Sequence, residues 1–279
     1  MLPPATTLGA VHLRVADLDR SLGFYHALAG LPILERDATT AVLGFADAPL
    51  IRLRAVAGLL PALPHAAGLF HTAILYPDRH VLGAAVRHIS AAGYAFSGAS
   101  DHLVSEAFYL DDPDGNGVEL YRDRPRSDWQ WSHGAVEMAS LALDVDGVLD
   151  DAAPTFDAAP AGTCIGHVHL QVSDLVSAEA FYIGVVGFDL TTRFGAAATF
   201  ISAGGYHHHM GLNMWRARGQ AASPRTHAGL DAIEIVVPTE ADVAAIRTRA
   251  EAAGVGVHRH DDGLVLTDPW EHEVILRVP

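Results

Sequence analysis

The strongest constraint on this chain is an internal repeat. Residues 9–30 and 166–187 align without a gap. Gly9, Val11, His12, Leu13, Val15, Asp17, Leu18, Phe24, Tyr25 and Gly30 recur as Gly166, Val168, His169, Leu170, Val172, Asp174, Leu175, Phe181, Tyr182 and Gly187. Each copy predicts a strand, an Asp-Leu helix start, a short helix and a glycine stop. Strand-like segments follow at 41–45 and 50–55, and again at 198–201 and 207–214. A second unit also occurs twice, opening with Gly68-Leu69-Phe70-His71 and with Gly229-Leu230-Asp231-Ala232. Each continues into a helix with one apolar face (Val81, Ala85, Ile89; Val243, Ile246, Ala250) that stops at Ala-Ala-Gly. Each ends in a strand after an Asp-Pro turn, Asp112-Pro113 or Asp268-Pro269. The expectation is an α+β chain of four βαβββ units, with a period too long for a solenoid. Units one and two span 1–125. A connector spans 126–162, with a short helix near 145–149 and a Pro/Ala-rich linker at 152–162. Units three and four span 163–279.

Composition removes several function classes. A net charge of −15 argues against nucleic acid or an anionic membrane surface as partner. One cysteine excludes an internal disulfide and a thiolate metal cluster. There is no signal-peptide pattern at the start and no apolar run near the ~20 residues of a membrane span, so a soluble, cytoplasmic protein is expected. Histidine stands out, with seventeen. In Gly166-His167-Val168-His169 the alternation puts both imidazoles on one face of a strand. Tyr206-His207-His208-His209-Met210-Gly211-Leu212-Asn213 reads as a second histidine-bearing strand. The two suggest a metal site or an acid/base site.

These strings, with Asp112-Pro113-Asp114-Gly115-Asn116-Gly117-Val118-Glu119-Leu120-Tyr121, resemble the vicinal oxygen chelate superfamily, in particular its two-domain catechol 2,3-dioxygenase-like (extradiol) branch. The likeness covers nearly the whole chain. It implies the glyoxalase/extradiol dioxygenase fold: units pairing into two cupped mixed sheets, with a divalent metal in a cup. It also implies an extradiol ligand set of two His and one Glu, with open positions for a catecholate and dioxygen.

Carried onto the repeat, the first-strand ligand position is His167 in unit three but Ala10 in unit one, and His71 in unit two but Ala232 in unit four. The last-strand carboxylate is Glu119 in unit two, opposite Ile275 in unit four. Ala and Ile cannot ligate a metal. His71, Glu119 and His167 are therefore the expected ligands, in a cup built from the two middle units, and units one and four should form a metal-free cup. Two imidazoles and a carboxylate on one face suit Fe(II), or Mn(II), whereas structural zinc needs a closed set of four. A lone buried histidine is more often a hydrogen-bonded core residue. An alternative ligand set shifts the last strand of unit four by two residues and uses Glu273 with His167 and a histidine of the triple run.

Extradiol cleavage also needs a base and a proton donor. The resemblance points to His209 first and His208 second, on opposite faces of a strand so that only one enters the cup. Tyr109, ten residues before Glu119, has the spacing of an active-site tyrosine in extradiol relatives, and His102 is a further candidate beside the metal site. His12 and His169 match each other and read as structural. Asn213 and Trp215 are candidate pocket walls, and His258, His260 and His272 read as facing solvent. The implied activity is ring cleavage of a small aromatic diol by O2. The alternatives are a glyoxalase-like metal-dependent isomerase or lyase with a fourth ligand, and a metal-free binding protein of the resistance type. An apolar last strand in unit four is compatible with a homo-oligomer.

Overall fold

The computed structural model describes residues 1–260 and 263–279, the side chain of His260 excepted. Unit one comprises β1 (Thr7–Val15), α1 (Leu18–Leu22), β2 (Ile33–Arg36), β3 (Thr40–Phe45) and β4 (Ala48–Ala55). Unit two comprises β5 (Gly68–Leu75), α2 (Arg79–Ala91), β6 (Gly98–Asp101), β7 (Ser105–Asp111) and β8 (Gly117–Asp123). The connector forms a small hairpin, β9 (Trp131–Ser132) and β10 (Ala135–Val136), then α3 (Val145–Asp150). Unit three comprises β11 (Cys164–Gln171), α4 (Leu175–Glu179), β12 (Asp189–Phe194), β13 (Ala198–Ser202) and β14 (Met210–Asn213). Unit four comprises β15 (Gly229–Val236), α5 (Glu240–Ala252), β16 (Val257–His260), β17 (Gly263–Thr267) and β18 (Glu273–Arg277).

The repeated residues have specific local jobs. Asp17 and Asp174 cap α1 and α4, their carboxylates accepting from the backbone N–H of Arg20 (2.8 Å) and Ser177 (2.7 Å). Both helices widen into a π-helical segment and end at Gly30 and Gly187, whose φ of 77° and 103° suits glycine. The widened turns carry Tyr25 and Tyr182, both fully buried. Their hydroxyls donate to the Asp-Pro carboxylates, Tyr25 to Asp112 at 3.0 Å and Tyr182 to Asp268 at 2.9 Å. This bond ties unit one to unit two and unit three to unit four.

The sheets pair differently. One runs β16-β17-β18-β15-β1-β4-β3-β2 and the other β12-β13-β14-β11-β5-β8-β7-β6. Each therefore draws one unit from residues 1–125 and one from 163–279. Units two and three share a sheet, as the ligand pattern of the repeat anticipates. The core lies between the sheets, where Val11, Leu13 and Val15 of β1 meet Val168, Leu170 and Val172. The intervening residues, Ala10 and His12 or His167 and His169, face the two cups.

Two expectations require correction. The run His207-His208-His209 is not strand, because β14 begins only at Met210. Its backbone is held irregularly: Thr191 Oγ1 donates to the His207 carbonyl and the His209 N–H to the Ile201 carbonyl, each at 2.9 Å. His272 is buried rather than solvent-facing, with Nδ1 3.1 Å from Asp268 in the turn before β18. His258 is exposed as expected, and the expectation for the His260 side chain lies outside the described residues.

Candidate metal centre

Three adjacent strands at the middle of the second sheet bring His71, Glu119 and His167 together. Ala73 of β5 is flanked by His167 on antiparallel β11 and by Glu119 on parallel β8, and His71 lies two residues before it. The methyl of Ala73 leaves room above it, into which the three polar side chains lean. His71 Nε2 is 3.0 Å from Glu119 Oε2, His167 Nε2 is 3.2 Å from the same oxygen, and the two imidazole nitrogens are 3.3 Å apart. Metal–ligand bonds of about 2.1 Å put neighbouring corners of an octahedron ~3.0 Å apart and those of a tetrahedron ~3.4 Å apart, so the spacing fits one cation bound on three sides.

The electrostatics suit that cation. Burial pushes the His167 imidazole down to about 4, so it is neutral at pH 7 with a lone pair to offer. Burial by itself would raise the Glu119 carboxyl. The facing His167 and His71 outweigh it and hold the group well below its usual range. Among the described residues the cluster has three members, and all are buried. Glu273, the alternative carboxylate, is exposed on β18 of the other sheet, away from His167.

The cluster opens into a cavity of about 460 Å³. Tyr109, opposite Glu119 on β7, lines it with His102. The His102 Nδ1–H donates to the Ala139 carbonyl at 2.6 Å, which leaves Nε2 to accept the Tyr109 hydroxyl at 2.5 Å. Burial, with Glu119 nearby, holds that phenol well above its ordinary value, so it stays protonated.

His208, not His209, lines the cavity, its ring 4.2 Å from that of His167. Of the pair, the second candidate rather than the first faces the cavity. The His209 ring is turned into the core, where its Nδ1 accepts the Ala203 N–H at 3.2 Å and burial lowers its pKa to about 3. Trp215 lines the cavity. Asn213 does not, its side-chain oxygen accepting the Trp215 N–H at 3.1 Å.

His169, read as structural, also lines the cavity, and its Nε2 is buried with no hydrogen-bond partner among the described residues. The usable signal was its position two residues after His167 on the same face. The ring fits because residue 211 is glycine: a Cβ there would lie 2.7 Å from it. Gly211→Ala should therefore displace the His169 ring. We expect a loss of about 1–3 kcal/mol in denaturant unfolding, and an unchanged midpoint would contradict the packing argument.

The chain belongs to the Glyoxalase/Bleomycin resistance protein/Dioxygenase superfamily, whose family model matches residues 7–120 and 164–275. This is the vicinal oxygen chelate fold. The chain is 39% identical over 269 residues to the catechol-2,3-dioxygenase of Bacillus subtilis (strain 168), covering 95% of this chain and 94% of that one. Among solved structures it resembles glyoxalase I from Zea mays (TM-score 0.60, 16% identity, 98% of this chain and 92% of that one). It also resembles the cppA protein from Streptococcus pneumoniae TIGR4 (TM-score 0.61, 11% identity, 98% of each chain). At those identities the two structures speak for the fold alone. Among the described residues no helix is long and apolar enough to cross a membrane.

Proposed function

We propose that the chain is an extradiol ring-cleavage dioxygenase of the cytoplasm, acting on a small aromatic diol and O2. The observation that carries this is a three-donor cluster, His71, Glu119 and His167, opening on a cavity large enough for a substituted catechol. Similarity to a catechol-2,3-dioxygenase over nearly the full chain supports it. Three protein donors would suit a cation that must also engage both diol oxygens and dioxygen. A glyoxalase-like reading calls for a fourth donor, and none joins the cluster among the described residues.

His71, His167 and Glu119 would hold Fe(II), with Mn(II) the other fitting occupant. A bound Fe(II) would supply Lewis acidity and an electron path between catechol and dioxygen. The rest falls to the chain. Phe70, Phe200 and Trp215 line the cavity and stack around His169, which keeps water from the diol ring. His208 is the base for the substrate hydroxyl and later returns the proton. Tyr109, its hydroxyl hydrogen given to His102, flanks the substrate hydroxyls as a neutral acceptor.

The test is to load the full chain anaerobically with Fe(II), then admit air with catechol. A yellow ring-opened product with equimolar oxygen uptake is expected. Bound iron with no product from catechol or its alkyl and carboxyl derivatives would defeat the reading. His208→Gln should lower kcat by at least ~10²-fold with metal content unchanged, whereas His209→Gln should leave kcat within a small factor of wild type. The reverse ranking would return the acid/base role to His209.

A further inference from the structure

Behind His208 lies a chain of groups outside the cavity. Asp123 is the last residue of β8, four past Glu119. Its Oδ1 is 2.8 Å from Nε2 of His207, and Nδ1 of His207 is 2.7 Å from Nδ1 of His208. His207 is fully buried, its ring 4.1 Å from that of Tyr206 and 5.1 Å from that of Trp129, so it cannot swing away from either partner.

From these contacts we infer that Asp123 and His207 fix which nitrogen of His208 is presented to the cavity, making Asp123 a positioning residue for the reaction proposed above, on which this inference rests. A carboxylate only accepts, so the Nε2 of His207 must carry the hydrogen. With the ring neutral, its Nδ1 is then a lone pair. Two facing nitrogens at 2.7 Å need one hydrogen between them, so it sits on Nδ1 of His208. A neutral His208 consequently bears its lone pair on Nε2. That nitrogen has no hydrogen-bond partner among the described residues, and its side chain lines the cavity. In the opposite tautomer two lone pairs would face each other in the core. The cavity would then meet an N–H, which cannot accept a proton from a diol. The arrangement follows the rule that the bond made by one ring nitrogen sets the role of the other, applied across two histidines in series.

The test is 15N NMR of the full chain, labelled at histidine and loaded with Zn(II) to avoid paramagnetic broadening. The expected spectrum has His207 protonated on Nε2 and His208 protonated on Nδ1. In Asp123→Asn the side-chain amide can donate or accept, so the preference is lost. His208 should then populate both tautomers, and kcat of the Fe(II) enzyme should fall between about 10- and 100-fold with KM and bound metal unchanged. A wild-type His208 protonated on Nε2 overturns the inference, and so does an Asp123→Asn protein with unaltered tautomers. The wild-type spectrum decides by itself if the variant fails to fold. Expected tautomers in a protein that cleaves no diol would overturn the dioxygenase reading alone.

Discussion

Glu119→Gln is expected to abolish both metal retention and ring cleavage while leaving the fold intact. Glu119 is the one anionic member of the cluster, and its Oε2 is the atom both imidazoles approach. An amide of the same shape keeps the packing but removes the charge that offsets a divalent cation. Loss of several kcal/mol of interaction with the ion converts to at least ~10³-fold in turnover. Metal content after dialysis and oxygen uptake with catechol are the two readouts. Glu273→Gln is the matched control, since that side chain is exposed in the other sheet. A Glu119→Gln protein that keeps its metal, or a Glu273→Gln protein that loses it, would remove the basis for the assigned ligand set.

Glu234→Ala should show the opposite phenotype: stability lost, metal retained. By the repeat, Glu234 occupies the place that Ala73 holds in the metal-site sheet, lying opposite Ile275 as Ala73 lies opposite Glu119. The second cup thus carries its carboxylate at the centre, ringed by His12 at 2.9 Å, Arg52 at 3.1 Å and Arg277 at 2.8 Å. Protein cations occupy it where the first cup presents donors. Burial would raise this carboxyl, but the bonds from His12 and Arg277 dominate and bring it down to about 2. A carboxylate lowered on folding adds stability that is complete above its unfolded value of about 4.5 and lost as the pH falls to about 2. The size is about 3 kcal/mol at neutral pH. That is an upper figure, because Arg52 and Arg277 are 33% and 24% exposed and water screens them. Urea unfolding of wild type and variant at pH 7 should show this gap, and unfolding near pH 2 should show it closing. Equal stability at pH 7 would mean that the cluster contributes nothing net.

The repeat makes the candidate donor positions legible in the sequence, because Ala and Ile at the matching positions of units one and four cannot bind a metal. It also exposed the pairing of the middle units, since ligands split between two halves must meet in one sheet. It did not resolve the triple-histidine run. Alternation by two assigns faces only inside a strand, and β14 starts after the last of those histidines. The sequence reads His169 as structural because its counterpart, His12, sits in a unit without candidate donors. The copies in fact diverge in partners: His12 meets Glu234, whereas Nε2 of His169 has no hydrogen-bond partner among the described residues. The contact between Asp123 and His207 joins residues 84 apart, one ending β8 and the other in the irregular run before β14, and no local pattern encodes it. Tyr25 and Asp112 were visible as repeated letters, but their bond, which fixes the helix of one unit onto the next, required the fold.

The unit order has a further consequence at the ribosome. The sheet with the candidate metal site is drawn from the middle of the chain, units two and three with the connector between them, whereas β1 pairs with β15 across more than two hundred residues, Thr7 meeting Val236. At ordinary synthesis rates, roughly ten seconds or more separate the emergence of those two strands. During that interval β1 has β4 on one side and a bare hydrogen-bonding edge on the other, the arrangement most open to pairing with another chain. Nascent chains halted before residue 229 should therefore aggregate or recruit chaperones even though every proposed metal ligand has already been made.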